Sequence, residues 1–164
     1  MNREILFKAK RKDNGEWVEG QYVYITNPLT EDGKPIKHLI CNGTNIFNDL
    51  IDPDTLCQYT GLTDKNDKKI WENDILKFND EIWYSCYTSC GTEYDSWEAE
   101  NYGVVGYCDY SARYDFTKYK YNENQVEADL HKNHDIEFSE FVKEHEVIGN
   151  IFDNPELLEV EYER

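Results

Sequence analysis

Residues 58–78 read QYTGLTDKNDKKIWENDILKF, and this stretch decides the fold predicted for the chain. Gly61 follows Thr60 at a point where the backbone is expected to need a positive φ, which glycine adopts without steric cost. Residues 64–67, DKND, form a second group of turn formers, because Asn and Asp tolerate the left-handed region. The stretch therefore predicts two turns and then a tight corner that delivers the chain into a strand over residues 74–78.

The same stretch resembles the signature of the YopX-like family of phage and prophage proteins, which is approximately QYTGLxDKNGxxIYEGDIV. Residues 3–9, REILFKA, resemble the family's REIKFRA start, and residues 146–157, EVIGNIFDNPEL, resemble its EVIGNIYENPEL finish. Asp67 and Asn73 stand where the family usually has glycine. Both residue types tolerate a positive φ, so we expect the turn geometry to survive.

The resemblance implies a mainly β (α+β) fold, with a small N-terminal β-rich part and a C-terminal SH3-like barrel. On this chain we expect the β-rich subdomain over residues 1–57 and the barrel over residues 58–164. The barrel would carry an aromatic-rich insertion over residues 83–135, a short helical insertion, an acidic C-terminal segment and a C-terminal helical turn. The molecular function of the family is uncharacterised, so the resemblance transfers a shape and no active residues.

Composition places the chain among folded acidic proteins. It has 164 residues, with 34 acidic against 17 basic side chains and a formal charge of −17. Aromatic residues make up 15%, which argues against general disorder because disordered acidic chains are poor in aromatics. No apolar run has the length of a membrane span, and the N-terminus is charged rather than signal-like. We therefore expect a soluble protein of the bacterial host cytoplasm that needs no cofactor.

The N-terminal part has the pattern of hairpins. Ile5, Phe7 and Ala9 alternate with charged neighbours, as in a half-buried strand, and Asn14-Gly15 is a strong hairpin signal. Further strands are predicted over residues 17–18, 22–25 and 36–41. The early basic cluster is interpreted as a solvated strand end rather than a phosphate site; it comprises Lys8, Lys10, Arg11 and Lys12.

The middle of the chain is rich in tyrosine. Nine of the thirteen tyrosines lie between residues 83 and 121, together with Trp83, Trp97 and Phe116. From Val104 to Phe116 apolar even positions alternate with polar odd ones, which predicts one long strand. Tyrosine has a broad apolar face and a polar tip, so it suits either the half-exposed wall of a small barrel or a protein interface.

The last quarter is the acidic pole, with 13 acidic and 3 basic residues over 121–164. Asn122 is a candidate cap of a short helix, and residues 139–144 are predicted to form a single helical turn. A closing strand is predicted over residues 146–152, followed by a terminal helix with Pro155 at its first position.

The metal-ligating residue types show no strong metal motif. The five cysteines are irregularly spaced, which indicates neither a disulfide framework nor a complete zinc site. Cys86 and Cys90 form C-x₃-C, but Cys108 alone does not supply a second pair. His131 and His134 lack a third well-spaced ligand and are assigned to a polar surface segment. We assign no metal.

Three classes of function remain, and none of them is enzymatic, because no catalytic motif has supporting context. The first class is a protein-interaction module for a host or phage protein, with self-association into a homo-oligomer as an alternative. The second is an acidic decoy that imitates nucleic acid through the carboxylates of residues 121–164. The candidate contact residues are Tyr59, Trp71, Trp83 and Trp97, although a place in the core explains each of them better than a place in an interface.

The third class, a nucleic-acid binder of SH3-like type that stacks bases on aromatic rings, is disfavoured. Affinity for phosphates comes from Lys and Arg, and a charge of −17 opposes encounter with a polyanion. Only an organised basic strip would rescue this class, for example one built from Lys65, Lys68, Lys69 and Lys77.

Overall fold

The computed structural model describes residues 4–25, 31, 37–43, 50–120 and 138–159, with side chains at 80–88, 93–97, 99 and 118–120 outside the description. Over these residues the chain is mainly β, as predicted, with one five-stranded and one four-stranded antiparallel sheet. Contacts divide it into two units. The first unit comprises Met1–Leu62 and Lys69–Glu72, and the second comprises Thr63–Lys68 and Asn73–Arg164. No helix in the described part is long and apolar enough to cross a bilayer.

The first unit is built on the five-stranded sheet. Its order is β3-β2-β1-β4-β5, and a 3₁₀ turn at Pro53–Thr55 precedes β4. The strands are β1 (Phe7–Lys10), β2 (Trp17–Tyr24), β3 (His38–Cys41), β4 (Cys57–Thr63) and β5 (Lys69–Trp71).

The hairpin predicted at Asn14-Gly15 is confirmed. Strands β1 and β2 pair with Phe7 opposite Gly20, and the Gly15 N–H donates to the Arg11 carbonyl at 3.0 Å. Gly15 has φ of 73°, the conformation that glycine adopts most easily. Alternation then sends Phe7 and Ala9 to one face of the sheet, where they join a core formed with Val18, Ile40, Ile51, Tyr22 and Leu56.

The turn residues of the signature stretch have the predicted backbone conformations. Gly61 has φ of 84°, while Asp67 and Asn73, which stand at the family's glycine positions, have φ of 61° and 66°. The Thr60 hydroxyl donates to the carbonyl of Ile70 at 2.8 Å and so ties β4 to β5. The corner at residues 72–73 then leads into a strand at residue 74, as predicted.

The second unit is built on the four-stranded sheet, whose order is β8-β7-β6-β9. Its outer strands among the described residues are β8 and β9, so this sheet is open, and closure into an SH3-like barrel stays a prediction. The strands are β6 (Asp74–Thr88), β7 (Gly91–Cys108), β8 (Arg113–Lys120) and β9 (Glu146–Asn150). The helical elements are α1 (Phe138–Phe141) and 3₁₀ turns at Val142–Glu144 and Pro155–Leu158.

The single long strand predicted from Val104 to Phe116 is wrong. Strand β7 ends at Cys108, a turn follows over residues 109–112, and β8 begins at Arg113. Two strands with the same two-residue period continue an alternating pattern across a short turn, so periodicity did not detect this turn. Its Ala112 has φ of 52°, and alanine carries no turn signal of its own.

The other predictions for the second unit have mixed outcomes. The strand that begins at residue 74 continues to Thr88, well past the predicted end at Phe78. The helical turn predicted over residues 139–144 is confirmed, and the closing strand ends at Asn150. A short 3₁₀ helix follows Asn154 with Pro155 at its start, as predicted for the C-terminal helical turn. The helix predicted from Asn122 lies outside the described residues.

Four phenylalanines form the centre of the second unit's core. The rings of Phe78 and Phe116 stack with centroids 5.2 Å apart, and Phe138 and Phe141 meet Phe116 edge-on. Gly103 makes this stack possible, because a Cβ on Gly103 would lie 2.4 Å from the Phe116 ring. Further buried side chains of the second unit are Leu76, Val105, Val142 and Val147.

Candidate functional site

The four-stranded sheet narrows to two strands along most of β6 and β7. These strands pair without interruption from Ile75 opposite Val104 to Thr88 opposite Gly91. Strand β8 pairs with β7 only over Tyr102–Cys108, and β9 pairs with β6 only over Asp74–Lys77. In the described part of the chain, residues 78–88 and 91–101 therefore form a two-stranded ribbon without strands on its outer edges. We call residues 78–101 the β6–β7 arm; it is about 35 Å long at roughly 3.3 Å per residue.

The arm has an unusual composition. Among residues 78–101 there are six acidic and no basic residues. Two of the four predicted contact residues lie here: Trp83 is opposite Ser96 in the ladder, and Trp97 is opposite Ile82. The aromatic residues of the arm are Phe78, Trp83, Tyr84, Tyr87, Tyr94 and Trp97. The arm thus combines negative charge, aromatic residues and two outer edges that no described strand covers.

Glu100 makes two contacts at the foot of the arm, which is the end that joins the four-stranded sheet. It accepts a hydrogen bond from the Tyr102 hydroxyl and forms an ion pair with Lys77 on the neighbouring strand. The hydrogen bond from Lys77, followed by the one from Tyr102, holds the pKa of Glu100 below its usual range. The same carboxylate raises the pKa of the Tyr102 phenol. The ion pair between Lys77 and Glu100 links β6 and β7 at the point where the sheet becomes two-stranded.

A cleft of about 380 Å³ lies beside the foot of the arm. It opens where the pairing between β6 and β9 stops. The outermost pair of these strands is Lys77 opposite Glu146, the first residue of β9. Lys65 closes one side: its N–H donates to the His145 carbonyl at 3.0 Å, and its Nζ lies 2.9 Å from Glu146. The lining residues are Lys65, Lys77, Phe78, Asn79, Glu144, His145 and Glu146.

The imidazole of His145 is held in one orientation. Its ring stacks on Phe141 with centroids 4.0 Å apart, and its Nδ1 contacts the Phe141 carbonyl oxygen. Since a carbonyl only accepts hydrogen bonds, Nδ1 carries a proton. His145 therefore packs as part of the aromatic core while its edge lines the cleft.

The four lysines proposed as a basic strip have contacts with oxygen atoms instead. Lys65 pairs with Glu146, Lys77 with Glu100, and the Lys68 ammonium donates to the Val147 carbonyl at 3.2 Å. Lys69 belongs to the first unit and lies 3.4 Å from Glu19. Carboxylates thus compensate three of these charges, which weakens the case for phosphate binding.

Tyr59 and Trp71, the other two predicted contact residues, pack against each other in the first unit with ring centroids 5.3 Å apart. They are only 9% and 4% exposed, so little of either ring is available to a partner. The Lys69 ammonium lies over both rings, at 5.6 Å and 5.7 Å from their centroids. Such contacts between a cation and a ring stabilise the sheet face that carries them.

The early basic cluster contributes to the same face, which sequence reasoning missed. Lys8 lies 5.0 Å from the Trp17 ring and 5.5 Å from the Trp71 ring, and Lys10 also lies over Trp17. The available signal was the hairpin register, which places Lys10 opposite Trp17. These lysines cover aromatic rings and are more than a solvated strand end.

The residues that the structure describes contain no group of three side chains suited to a metal ion. Among the described cysteines, Cys41, Cys57, Cys90 and Cys108 are not part of a disulfide. Hydrogen bonds from Ser111, first from its side chain and then from its backbone, lower the pKa of the Cys108 thiol. The Cys86 side chain and residues 131–134 lie outside the description. That Cys86, His131 and His134 bind no metal therefore stays a prediction from the sequence.

The family comparison agrees with the motifs at both ends and in the middle of the chain. The model of the family described as YopX protein matches residues 6–159. A comparison with curated proteins gives no match. Because the family match covers nearly the whole sequence, from before β1 to the end of the last 3₁₀ turn, this chain belongs to the YopX protein family.

Proposed function

We propose that this YopX-family chain is a non-enzymatic protein-interaction module and that the β6–β7 arm is its contact surface. The observation that carries the proposal is the pair of outer edges along residues 78–88 and 91–101, which no described strand covers. Exposed strand edges carry unpaired N–H and C=O groups and are templates for another chain. A two-stranded ribbon is only marginally stable alone in water, so contact with a partner would stabilise it.

The composition of the arm supports the same function. Tyr and Trp are enriched in protein interfaces, and residues 78–101 contain three tyrosines and two tryptophans. The partner would be a protein of the phage or of its bacterial host. Self-association through the arm is less favourable, because each arm carries six acidic and no basic residues and two arms would repel each other.

A second candidate is the acidic decoy, which would occupy the nucleic-acid site of a host protein. The six carboxylates of the arm favour it, in addition to the 13 acidic residues over 121–164. A direct nucleic-acid binder has less support, since Lys65, Lys69 and Lys77 are paired with carboxylates. We assign no catalytic residue.

A variant with a shortened arm tests the interaction module. Residues 81–98 are replaced by Asn-Gly, which forms a two-residue turn between Asp80 and Ala99, a natural pair of the ladder. Capture from lysate of phage-carrying cells is compared for the wild-type and shortened proteins. We expect proteins retained by the wild type to be lost from the shortened variant while its thermal unfolding stays cooperative. Capture of the same proteins by both would contradict the proposal.

The salt dependence of capture separates the two candidates. A decoy depends on exposed charges, so its capture should collapse as salt rises. A contact based on strand pairing and aromatic side chains should persist at raised salt. As a matched control, a variant that exchanges only Asp80, Glu81, Glu93, Asp95 and Glu98 for Asn or Gln keeps the length of the arm and removes five of its six acidic charges. Unchanged capture by this variant would exclude a decoy that acts through the carboxylates of the arm.

A further inference from the structure

The direction of the main-chain groups on β6 follows from one hydrogen bond. The Val147 N–H donates to Asp64 at 3.0 Å, so this group points away from β6. Main-chain groups alternate in direction along a strand, so those of Glu146 face β6, where Glu146 lies opposite Lys77. Continued alternation along β6 places the N–H and C=O groups of Lys77, Asn79 and Glu81 on this outer edge.

The opposite edge of β6 gives the same result. The Val104 carbonyl accepts a hydrogen bond from the Thr117 hydroxyl on β8, so it points away from β6. Val104 lies opposite Ile75, and the main-chain groups of Ile75 therefore also point away from β7. From Ile75 onward, odd-numbered residues of β6 present their hydrogen-bonding groups to the edge that β9 covers only as far as Lys77.

The cleft leaves room for an added strand at this edge. On the N-terminal side of Glu146 the chain leaves the sheet and forms the helical turn Val142–Glu144. Phe78 and Asn79 line the space that this leaves beside β6. Its volume of about 380 Å³ lies within the range of ligand sites, roughly 300–1,000 Å³. A segment that enters here would meet the edge at Asn79, the first residue whose edge groups β9 does not reach.

The charges at this edge favour a cationic partner. The two lysines of the cleft are neutralised by Glu146 and Glu100, and Glu144 adds an exposed carboxylate. The arm contains no basic residue, and it has five acidic residues besides Glu100, which pairs with Lys77. A positively charged segment would therefore be attracted, and an acidic segment, including the arm of a second copy, would be repelled.

We propose that the outer edge of β6, from Asn79 outward, binds an extended lysine- or arginine-rich segment of another protein, which adds to the sheet as a strand in line with β9. This inference rests on the proposed function and names the chemistry of the partner. Strand addition takes its affinity from main-chain hydrogen bonds. Charge complementarity then selects basic segments over acidic ones.

Three synthetic probes of ten residues test the proposal with the full-length protein. The first alternates Lys and Thr, the second has the same sequence with N-methyl groups on alternate amides, and the third alternates Glu and Thr. Binding is followed by amide chemical shifts and hydrogen exchange in NMR spectra. We expect the Lys-Thr probe to shift and protect the amides of Asn79, Glu81 and Trp83. N-methylation, which leaves the charge unchanged, should weaken binding about tenfold or more.

Two variants at one position test the edge from the protein's side. Asn79→Pro removes an edge N–H but no hydrogen bond to β7, since Asn79 faces away from β7, and proline is tolerated on edge strands. Asn79→Ala is the matched control that keeps the N–H. We expect Asn79→Pro to weaken the Lys-Thr probe about tenfold and Asn79→Ala to leave its affinity within about twofold. Cooperative unfolding of both variants shows that the sheet is intact.

Several outcomes would overturn strand addition. For the probes, these outcomes are no binding of any probe at millimolar concentration, or binding of the methylated probe or of the Glu-Thr probe as tight as that of the Lys-Thr probe. For the variants, the outcome is an equal effect of Asn79→Pro and Asn79→Ala on the affinity for the Lys-Thr probe. If, in those cases, the shortened variant still fails to capture the proteins that the wild type retains, the interaction module stands and only the strand-addition mode is wrong. If the shortened variant captures the same proteins as the wild type, the interaction module itself is wrong.

Discussion

The carboxylate of Asp64 accepts a hydrogen bond from the main-chain N–H of Val147 at 3.0 Å, although 83 positions separate the two residues. The same carboxylate accepts the N–H groups of Asn66 and Lys68 at 2.8 Å and 2.9 Å. One buried side chain therefore closes the turn over residues 64–68 and fastens it to β9. The outer edge of β9 is in this way partly satisfied by a side chain instead of another strand.

Replacing Asp64 should destabilise the second unit. Asp64→Asn puts an amide N–H₂ or a single carbonyl oxygen where three N–H donors now meet a carboxylate. We expect a loss of about 1–3 kcal/mol in the free energy of unfolding, measured by urea denaturation. Asp67→Asn is the control on the same turn, because Asp67 is exposed and Asn tolerates its φ of 61°. Equal losses in the two variants would contradict this role of Asp64.

The contribution of Asp64 should disappear in acid. Burial opposes its ionisation, but the N–H groups of Val147, Lys68 and Asn66 outweigh burial and hold the pKa of Asp64 below its ordinary value. Because the pKa is lower in the folded state, the stabilisation is present above the unfolded value of about 3.9 and is lost as pH falls through the folded pKa. The stability difference between wild type and Asp64→Asn should therefore shrink below about pH 4. A difference that stays constant from neutral pH into this range would exclude the mechanism.

Gly103 should not tolerate a side chain. Gly103→Ala places a Cβ 2.4 Å from the Phe116 ring, which is stacked on Phe78. We expect a loss of about 1–3 kcal/mol from overpacking, measured by denaturant unfolding. Phe116→Leu removes the flat ring, so the double variant should lose less than the two single variants added together. Simple additivity would show that the ring and the glycine do not depend on each other.

Asp67 and Asn73 should accept glycine and reject β-branched residues. Asn73 has φ of 66°, and its N–H and C=O bond Val105 and Ile151, so the conformation is fixed by the fold. We expect Asn73→Gly to leave thermal stability nearly unchanged and Asn73→Val to cost about 1–2 kcal/mol. Asn66→Val is the control at a nearby exposed turn position whose φ is not positive, and its effect should be smaller. If Asn73→Val were as stable as Asn73→Gly, the positive φ at this position would not disfavour a β-branched residue.

Cys108 should be a reactive thiol because of Ser111. Hydrogen bonds from Ser111 lower the pKa of Cys108, which raises the thiolate fraction near neutral pH. We expect Ser111→Ala to slow alkylation of Cys108 by iodoacetamide, followed by peptide mass spectrometry at several pH values. Cys90 is exposed and distant in sequence, so its rate serves as an internal control and should not change. An unchanged rate at Cys108 would show that Ser111 does not activate this thiol.

The sequence by itself determined the mainly β character and the turns, because those depend on local chemistry. Asn14-Gly15 specifies a hairpin through the φ that glycine permits, and Asp67 and Asn73 keep the conformation that glycine has in the family. Alternation at Phe7 and Ala9 identified the core face of β1, since side chains of a strand alternate between its faces. Each of these signals lies within a few residues of the feature that it predicts.

Only the tertiary structure decided where strands end and which edges are covered. Alternation continued across the turn over residues 109–112, so one predicted strand became β7 and β8. The length of β6 was underestimated because pairing with β7, and not the residues up to Phe78, sets its end. The contact between Asp64 and Val147 depends on where β9 lies in the sheet. The cleft at Lys77, and the edge at Asn79 that no described strand covers, depend on where the pairing of β9 with β6 stops. Strand pairing joins residues that are distant in sequence, so no local pattern specifies it.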